Sequence, residues 1–283
     1  MPALRFGVST RLFQDALLTR DHLVHIAAHD FECVELAATR SHFDYRNDAS
    51  VRELQEWLAD TRLTLHSVHA PVAEAVRGTT LVGPYSNASG DAPRRQAAVE
   101  ETLAVLSLAR VIPFQHLVVH LGIGSAVASG ASDNQRDAAR RSAETIIAAA
   151  SDLGVGVAFE TIMNPLSSAD GLVHFLEETL DGLPASICLD YGHGYLTGDL
   201  AEVIETVGGH LATTHVHDND GRRDQHLMPF AGNIDWDAAM METQKIGYDG
   251  ALMFEVFERG DPAVVLTRAA RARERLAQAL VTF

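Results

Sequence analysis

Cysteine is nearly absent from this chain. There are two in 283 residues, Cys33 and Cys188, each inside an apolar run. Such a pair offers no disulfide framework and no Cys-x-x-Cys zinc pair, and it suits buried thiols in a reducing compartment. Positive charge is also scarce: 22 Lys and Arg stand against 38 Asp and Glu, a formal charge of −16 with His neutral. An acidic surface repels phosphate backbones, so broad attraction to nucleic acid or to an anionic membrane is disfavoured. No stretch approaches ~18 uninterrupted apolar residues. The amino-terminal MPALRFGVST has neither a basic segment nor an apolar one. Together these predict no membrane span, no secretion signal and a cytoplasmic protein. A Walker-type phosphate loop is missing too; GVGVAF (154–159) reads as the start of a strand. What remains is an ordinary globular composition, 47% hydrophobic and 21% charged, with enough apolar material for one large core.

Short apolar, β-branched runs recur along the chain: LRFGVS (4–9), FECVELA (31–37), LTLHSVH (63–69), HLVVHL (116–121), VGVAFE (155–160), SICLD (186–190), LATTHVH (211–217) and ALMFEV (251–256). Near-continuous apolar character marks strands buried on both faces, as in a parallel sheet covered by helices. Amphipathic segments lie between them, clearest at 93–110 and 133–154, where Gly154 is placed to end the helix. A last helix over 262–280 starts at Pro262, where a missing N–H costs little. Eight βα units without a linker predict one (β/α)8 TIM barrel, a single domain over 1–283, with a doubly wound open sheet as the alternative. RGTTLVGPYSNASGD (77–91), after the third strand, reads as a long loop overhanging the barrel mouth, a lid candidate.

A polar residue stands at or near the carboxyl end of almost every strand: Glu35, His69, His120, Glu160, Asp190, the pair His215 and His217, and Glu255. In a barrel these ends meet on one face. Each alone reads as a hydrogen-bonded histidine or a paired carboxylate. Recurrence over seven strands changes the balance. Carboxylates facing one another across a barrel mouth repel unless protonated or neutralised by a cation. Imidazoles beside them are suitable ligands for Zn2+ or Mn2+. The run HVHDNDGRRDQH (215–226) continues this pattern past the seventh strand, with Asp224 and His226 on a loop able to fold back over the mouth. Arg222 and Arg223 either carry positive charge to an anionic substrate group or are solvated loop charges. Trp236 reads as packing at a helix start.

With FET (159–161), CLDYGH (188–193), HVHDNDGRRDQHLMPFAGNIDW (215–236) and FEV (254–256), the chain resembles the xylose-isomerase-like TIM barrels. That superfamily contains sugar isomerases and epimerases and the endonuclease IV type of apurinic endonuclease. Ala231 departs from the Gly-Glu-Gly-like turn common in related barrels. The resemblance implies a divalent cation, Mn2+, Zn2+ or Mg2+, held by Glu160, Asp190, His215 and Glu255. Positions matching the nuclease branch add His69, His120, His193, Asp224 and His226 as further ligands. It also implies Glu160, Glu255 and His193 as catalytic groups, and His69, His120, His217 and Arg222 as substrate contacts. The charge of −16 favours the sugar branch, with a small-molecule sugar as the partner and no nucleic acid or membrane. The expected chemistry is isomerisation or epimerisation through a metal-stabilised enediolate. A zinc-dependent nuclease or phosphoesterase and a metal-dependent lyase or dehydratase are the alternatives. A single tightly held cation is expected, with a cluster as its rival. A homo-oligomer is left open.

Overall fold

The computed structural model describes residues 4–77, 80–125, 127 and 131–281. Its strands are β1 (Arg5–Ser9), β2 (Cys33–Ala37), β3 (Thr64–His69), β4 (Ala73–Arg77), β5 (Thr80–Pro84), β6 (His116–Val119), β7 (Gly156–Glu160), β8 (Ala185–Asp190), β9 (Leu211–Val216) and β10 (Ala251–Phe254). Eight of them close a parallel barrel in the order β1-β2-β3-β6-β7-β8-β9-β10, with β10 returning to β1. These are the eight runs read from the sequence, each within two residues at either end. The open-sheet alternative is thereby excluded.

Helices α1 (Arg20–Ala27), α2 (Asp48–Thr61), α3 (Ala92–Leu106), α4 (Arg136–Ser151), α5 (Ala169–His174), α6 (Tyr191–Thr197), α7 (Leu200–Val207), α8 (Trp236–Lys245) and α9 (Pro262–Val281) connect the strands. Their local signals are explicit. On α4, Ala139, Ala143, Ile146 and Ala150 are buried at three- and four-residue intervals, one stripe against the barrel. Side chains of Asn47, Asp91, Ser168, Asp199 and Asp235 cap the first turns of α2, α3, α5, α7 and α8. Gly154 takes a φ of +69° three residues past the end of α4, the left-handed region that favours glycine. Cys33 and Cys188 are buried free thiols, and burial raises Cys33 to about 11. Among the described residues, no helix is long and apolar enough to cross a membrane.

One expectation is corrected. The stretch 77–91 is not wholly a loop, because β4 and β5 pair antiparallel from Ala73↔Pro84 to Arg77↔Thr80. Gly78 and Thr79 lie outside the described residues. The pair is short and mostly solvent-facing, so it carries no buried apolar run to reveal it.

Candidate metal centre

Asp190 ends β8 and begins α6. One carboxylate oxygen, Oδ1, caps the helix by accepting the His193 amide at 2.8 Å. The side chain therefore has a fixed direction at the barrel mouth. Asp190 is in register with His215 on β9, and His215 with Met253 on β10, so Glu255 follows one step beyond the strand. Glu160 closes β7. All four residues are at most 2% exposed, and their ligand atoms lie within 4.8 Å of one another.

The distances fit a cation. His215 Nε2 donates to Glu35 Oε2 at 3.0 Å, which leaves Nδ1 as the free nitrogen of the neutral ring. That nitrogen is buried without a hydrogen-bond partner. It stands 3.4 Å from Glu160 Oε2, 3.7 Å from Glu255 Oε2 and 3.9 Å from Asp190 Oδ2. Four ligands at ~2.0–2.2 Å around one ion are separated by roughly 3.4 Å, and the three carboxylates stand at or within about 0.5 Å of that distance from the orphaned nitrogen.

A second group sits beside the first. His193 Nδ1 donates to Thr161 O at 2.9 Å, and His226 Nδ1 donates to Glu255 O at 2.8 Å. In each neutral ring Nε2 then carries a lone pair, and both nitrogens face Asp224 Oδ2, at 3.3 and 3.2 Å. Two lone pairs against a carboxylate need either extra protons or a cation between them. His69 repeats the arrangement: Nδ1 donates to Ala70 O at 2.8 Å while Nε2 faces Glu160 Oε2 at 2.9 Å. His120 Nε2 reaches the same oxygen at 3.0 Å.

The electrostatics agree with the geometry. Burial works to raise Glu160, Asp190 and Glu255, but neighbouring cationic groups outweigh it and all three fall, Glu255 to about 2. Burial works to lower His193 and His215. The carboxylates around them prevail, and both rise well above the usual range. Buried negative charge dominates the mouth, and it is matched by whatever positive charge is at hand.

The loop carrying Asp224 and His226 is held by Asp218. Its buried carboxylate accepts the amides of Asn219, Phe230 and Ile234 and the Trp236 indole N–H. A Cβ on Gly232 would come 2.3 Å from both Asn219 O and Asp218 Oδ1, so the turn in FAGNIDW requires glycine at that position. Asp235 of the same motif caps α8, whose first residue is the buried Trp236.

Above the ligands lies a cavity of about 140 Å³. Its polar lining is Arg11, His120, Glu160, His193, Asp224, His226 and Glu255. Its apolar wall includes Ile123, Ile162 and Met163, with Val72 and Leu81 supplied by the hairpin segment, which therefore overhangs the mouth. Three expected substrate contacts are not on this lining. His217 is fully buried behind Asp190, donating through Nε2 at 2.9 Å and stacked on His226 at 3.9 Å. Arg222 is exposed, since the amides of Arg222 and Arg223 turn onto Asp220 Oδ1 and direct this part of the loop outward. His69 is buried just beneath the lining. Sequence reasoning missed Arg11, whose Nη1 stands 3.4 Å from Glu255 Oε1. A lone arginine after the first strand carries no pattern that could have marked it.

Residues 23–279 match the model of the xylose isomerase-like TIM barrel family. An uncharacterised protein of Methanocaldococcus jannaschii is 26% identical over 259 residues, 89% of this chain and 83% of that protein. Another, from Sinorhizobium fredii, is 28% identical over 228 residues, 74% of this chain and 71% of its own length. Among solved structures, a D-tagatose 3-epimerase-like protein superposes with a TM-score of 0.80 at 23% identity, covering 98% of this chain and 97% of that one. D-psicose 3-epimerase from Clostridium cellulolyticum gives 0.78 at 17%, covering 98% and 99%. At such identities these structures show a shared fold. By the family match, the chain belongs to the xylose isomerase-like TIM barrels.

Proposed function

We propose that this family member is a divalent-metal-dependent isomerase or epimerase of a sugar or sugar phosphate. The observation that carries the reading is the convergence of Glu160, Asp190, His215 and Glu255 around one unpartnered nitrogen, beneath a small cavity. The structural likeness to a D-tagatose 3-epimerase-like protein and to a D-psicose 3-epimerase supports the same direction. A bound cation would supply Lewis-acid polarisation of an α-hydroxycarbonyl and stabilise the enediolate left by proton removal. The chain's own residues do the rest. β7 and β10 are separated around the barrel by β8 and β9, so Glu160 and Glu255 enter the mouth from different walls. One carboxylate takes the proton and the other returns it. Return to the same carbon from the other face inverts it, while return to the neighbouring carbon isomerises. His193, held by Thr161 O, presents Nε2 to the cavity beside Asp224, and in the imidazolium form that the surrounding carboxylates favour it donates from Nε2 to a substrate oxygen. The hairpin wall of Val72 and Leu81 excludes water.

One observation favours a second reading. His193, His217, Asp224 and His226 group like a further cation site, His217 through its unpartnered Nδ1, which suits a multi-cation phosphoesterase. The charge of −16 weighs against a nucleic-acid substrate for it.

The proposal is tested by incubating the Mn2+-loaded protein with ketohexoses and ketopentoses in D2O and following the sugars by NMR. Deuterium should enter at one carbon as the epimer or aldose appears. Glu255→Gln should lower that rate by about 10²–10⁴. Exchange at wild-type rate in this variant, or no exchange in the wild type with any ketose offered, contradicts the assignment.

A further inference from the structure

Of the strand-end carboxylates Glu35, Glu160, Asp190 and Glu255, Glu35 alone neither lines the cavity nor belongs to a ligand group among the described residues. It is fully buried, and an ionised carboxylate in such a place needs a reason to stay. Its partners supply one. Ser67 Oγ donates to Glu35 Oε2 at 2.8 Å, and His215 Nε2 donates to the same oxygen at 3.0 Å. Oε1 has no hydrogen-bond partner. The carboxylate thus presents one oxygen to one serine and one imidazole, and the imidazole is the ring whose other nitrogen faces Glu160, Asp190 and Glu255. The pairing of β2 with β3 shifts register between Val34 and Glu35, and beyond the shift Glu35 stands opposite Ser67. The ring is packed as well as bonded, stacking on His69 at 5.6 Å.

We infer that Glu35 is a positioning residue for the metal centre: it fixes His215 as the Nε2–H tautomer and aims Nδ1, made more basic by the carboxylate behind it, at the cation. A neutral imidazole bears one N–H, and whichever nitrogen holds it is lost as a ligand. Without an acceptor at Nε2 the proton is free to sit on Nδ1, in the centre of the carboxylates, where it competes with the metal. An acceptor behind a ligating histidine contributes ten- to a hundredfold in metal affinity in comparable carboxylate–histidine–metal arrangements. Ser67 serves the same oxygen, its hydroxyl anchoring the carboxylate behind the ring.

This inference rests on the metal reading above, and its test keeps the two apart by measuring Mn2+ binding without substrate. Wild type, Glu35→Gln and Glu35→Leu are titrated with Mn2+ by calorimetry. The His215 tautomer is read from two-bond ¹⁵N–¹H correlations in the proteins loaded with diamagnetic Zn2+, where a bound cation excludes the second ring proton. Glu35→Gln keeps an acceptor in place but removes its charge, so affinity should fall about tenfold. Glu35→Leu removes both, so affinity should fall up to about a hundredfold, and the single Nε2–H signature should be lost. Glu35→Gln decides the matter even should the leucine variant fail to fold. Wild-type affinity in a folded Glu35→Gln protein overturns the positioning role alone. A wild type that does not bind Mn2+ overturns the metal reading and this inference with it.

Discussion

Gly192 in the DYGH segment gives the sharpest local prediction. A Cβ there would stand 2.0 Å from Cε1, 2.4 Å from Nδ1 and 2.7 Å from Nε2 of His217. Ordinary contact begins near 3.4 Å, so in Gly192→Ala the ring must retreat by roughly 1.4 Å. It has no free path, because His226 is stacked behind it at 3.9 Å and is itself tied to Glu255 O. Retreat also breaks the bond from His217 to Asp190. Overpacking costs about 1–3 kcal/mol, and a lost buried charge-assisted hydrogen bond about 1.5–3. Against this, alanine in a helix gains at most ~1 kcal/mol over glycine. The steric term wins, leaving about 1.5–5 kcal/mol of destabilisation, a drop of at least roughly 3 °C in Tm for a chain of this size. Differential scanning calorimetry of the metal-free proteins reads the first effect. Mn2+ titration reads the second, a loss of about tenfold or more as Asp190 is displaced. A Gly192→Ala protein with wild-type Tm and wild-type Mn2+ affinity refutes the reasoning.

Two further outcomes follow. Burial, helped by the neighbouring His116, lowers His66 to about 4, so the unfolded chain takes up the proton first as pH falls below 6.5. The stability contributed by neutral His66 is present above pH 6.5 and is lost on acidification to 4; wild type should lose up to about 3 kcal/mol relative to His66→Gln across that window. Urea unfolding of the metal-free proteins at pH 7 and 4 checks this, and an unchanged difference between the two contradicts it. Asp224→Ala, His226→Ala counts the cations: unchanged metal stoichiometry with weakened turnover is expected for a single-cation site. Loss of a whole equivalent identifies a second ion and favours the phosphoesterase reading.

The barrel was legible because each of its strands is buried on both faces, and continuous apolar runs such as HLVV and SICLD betray that without any knowledge of neighbours. The hairpin of β4 and β5 was not legible, because a short, partly exposed pair that follows Pro71 and ends in Gly83 and Pro84 looks like a loop to the same criterion. For the site, the positions at strand ends were visible as a recurrence, and the fold brings Glu160, Asp190, His215 and Glu255 together. Orientation was not visible. Whether His217 faces the cavity or backs Asp190, and whether Arg222 points in or out, depends on loop hydrogen bonds to Asp190 and Asp220 that spacing does not encode. Nor could the sequence distinguish Glu35, a strand-end carboxylate like the others, from the carboxylates that face the cavity.

The central claim is that four strand-end side chains surround one cation, and anomalous X-ray scattering from crystals grown with Mn2+ tests it most directly. The account predicts a peak equidistant from His215 Nδ1 and the carboxylates of Glu160, Asp190 and Glu255, with ligand bonds of ~2.0–2.3 Å. No peak at that point under saturating Mn2+, or a peak with these four side chains more than about 5 Å away, contradicts it.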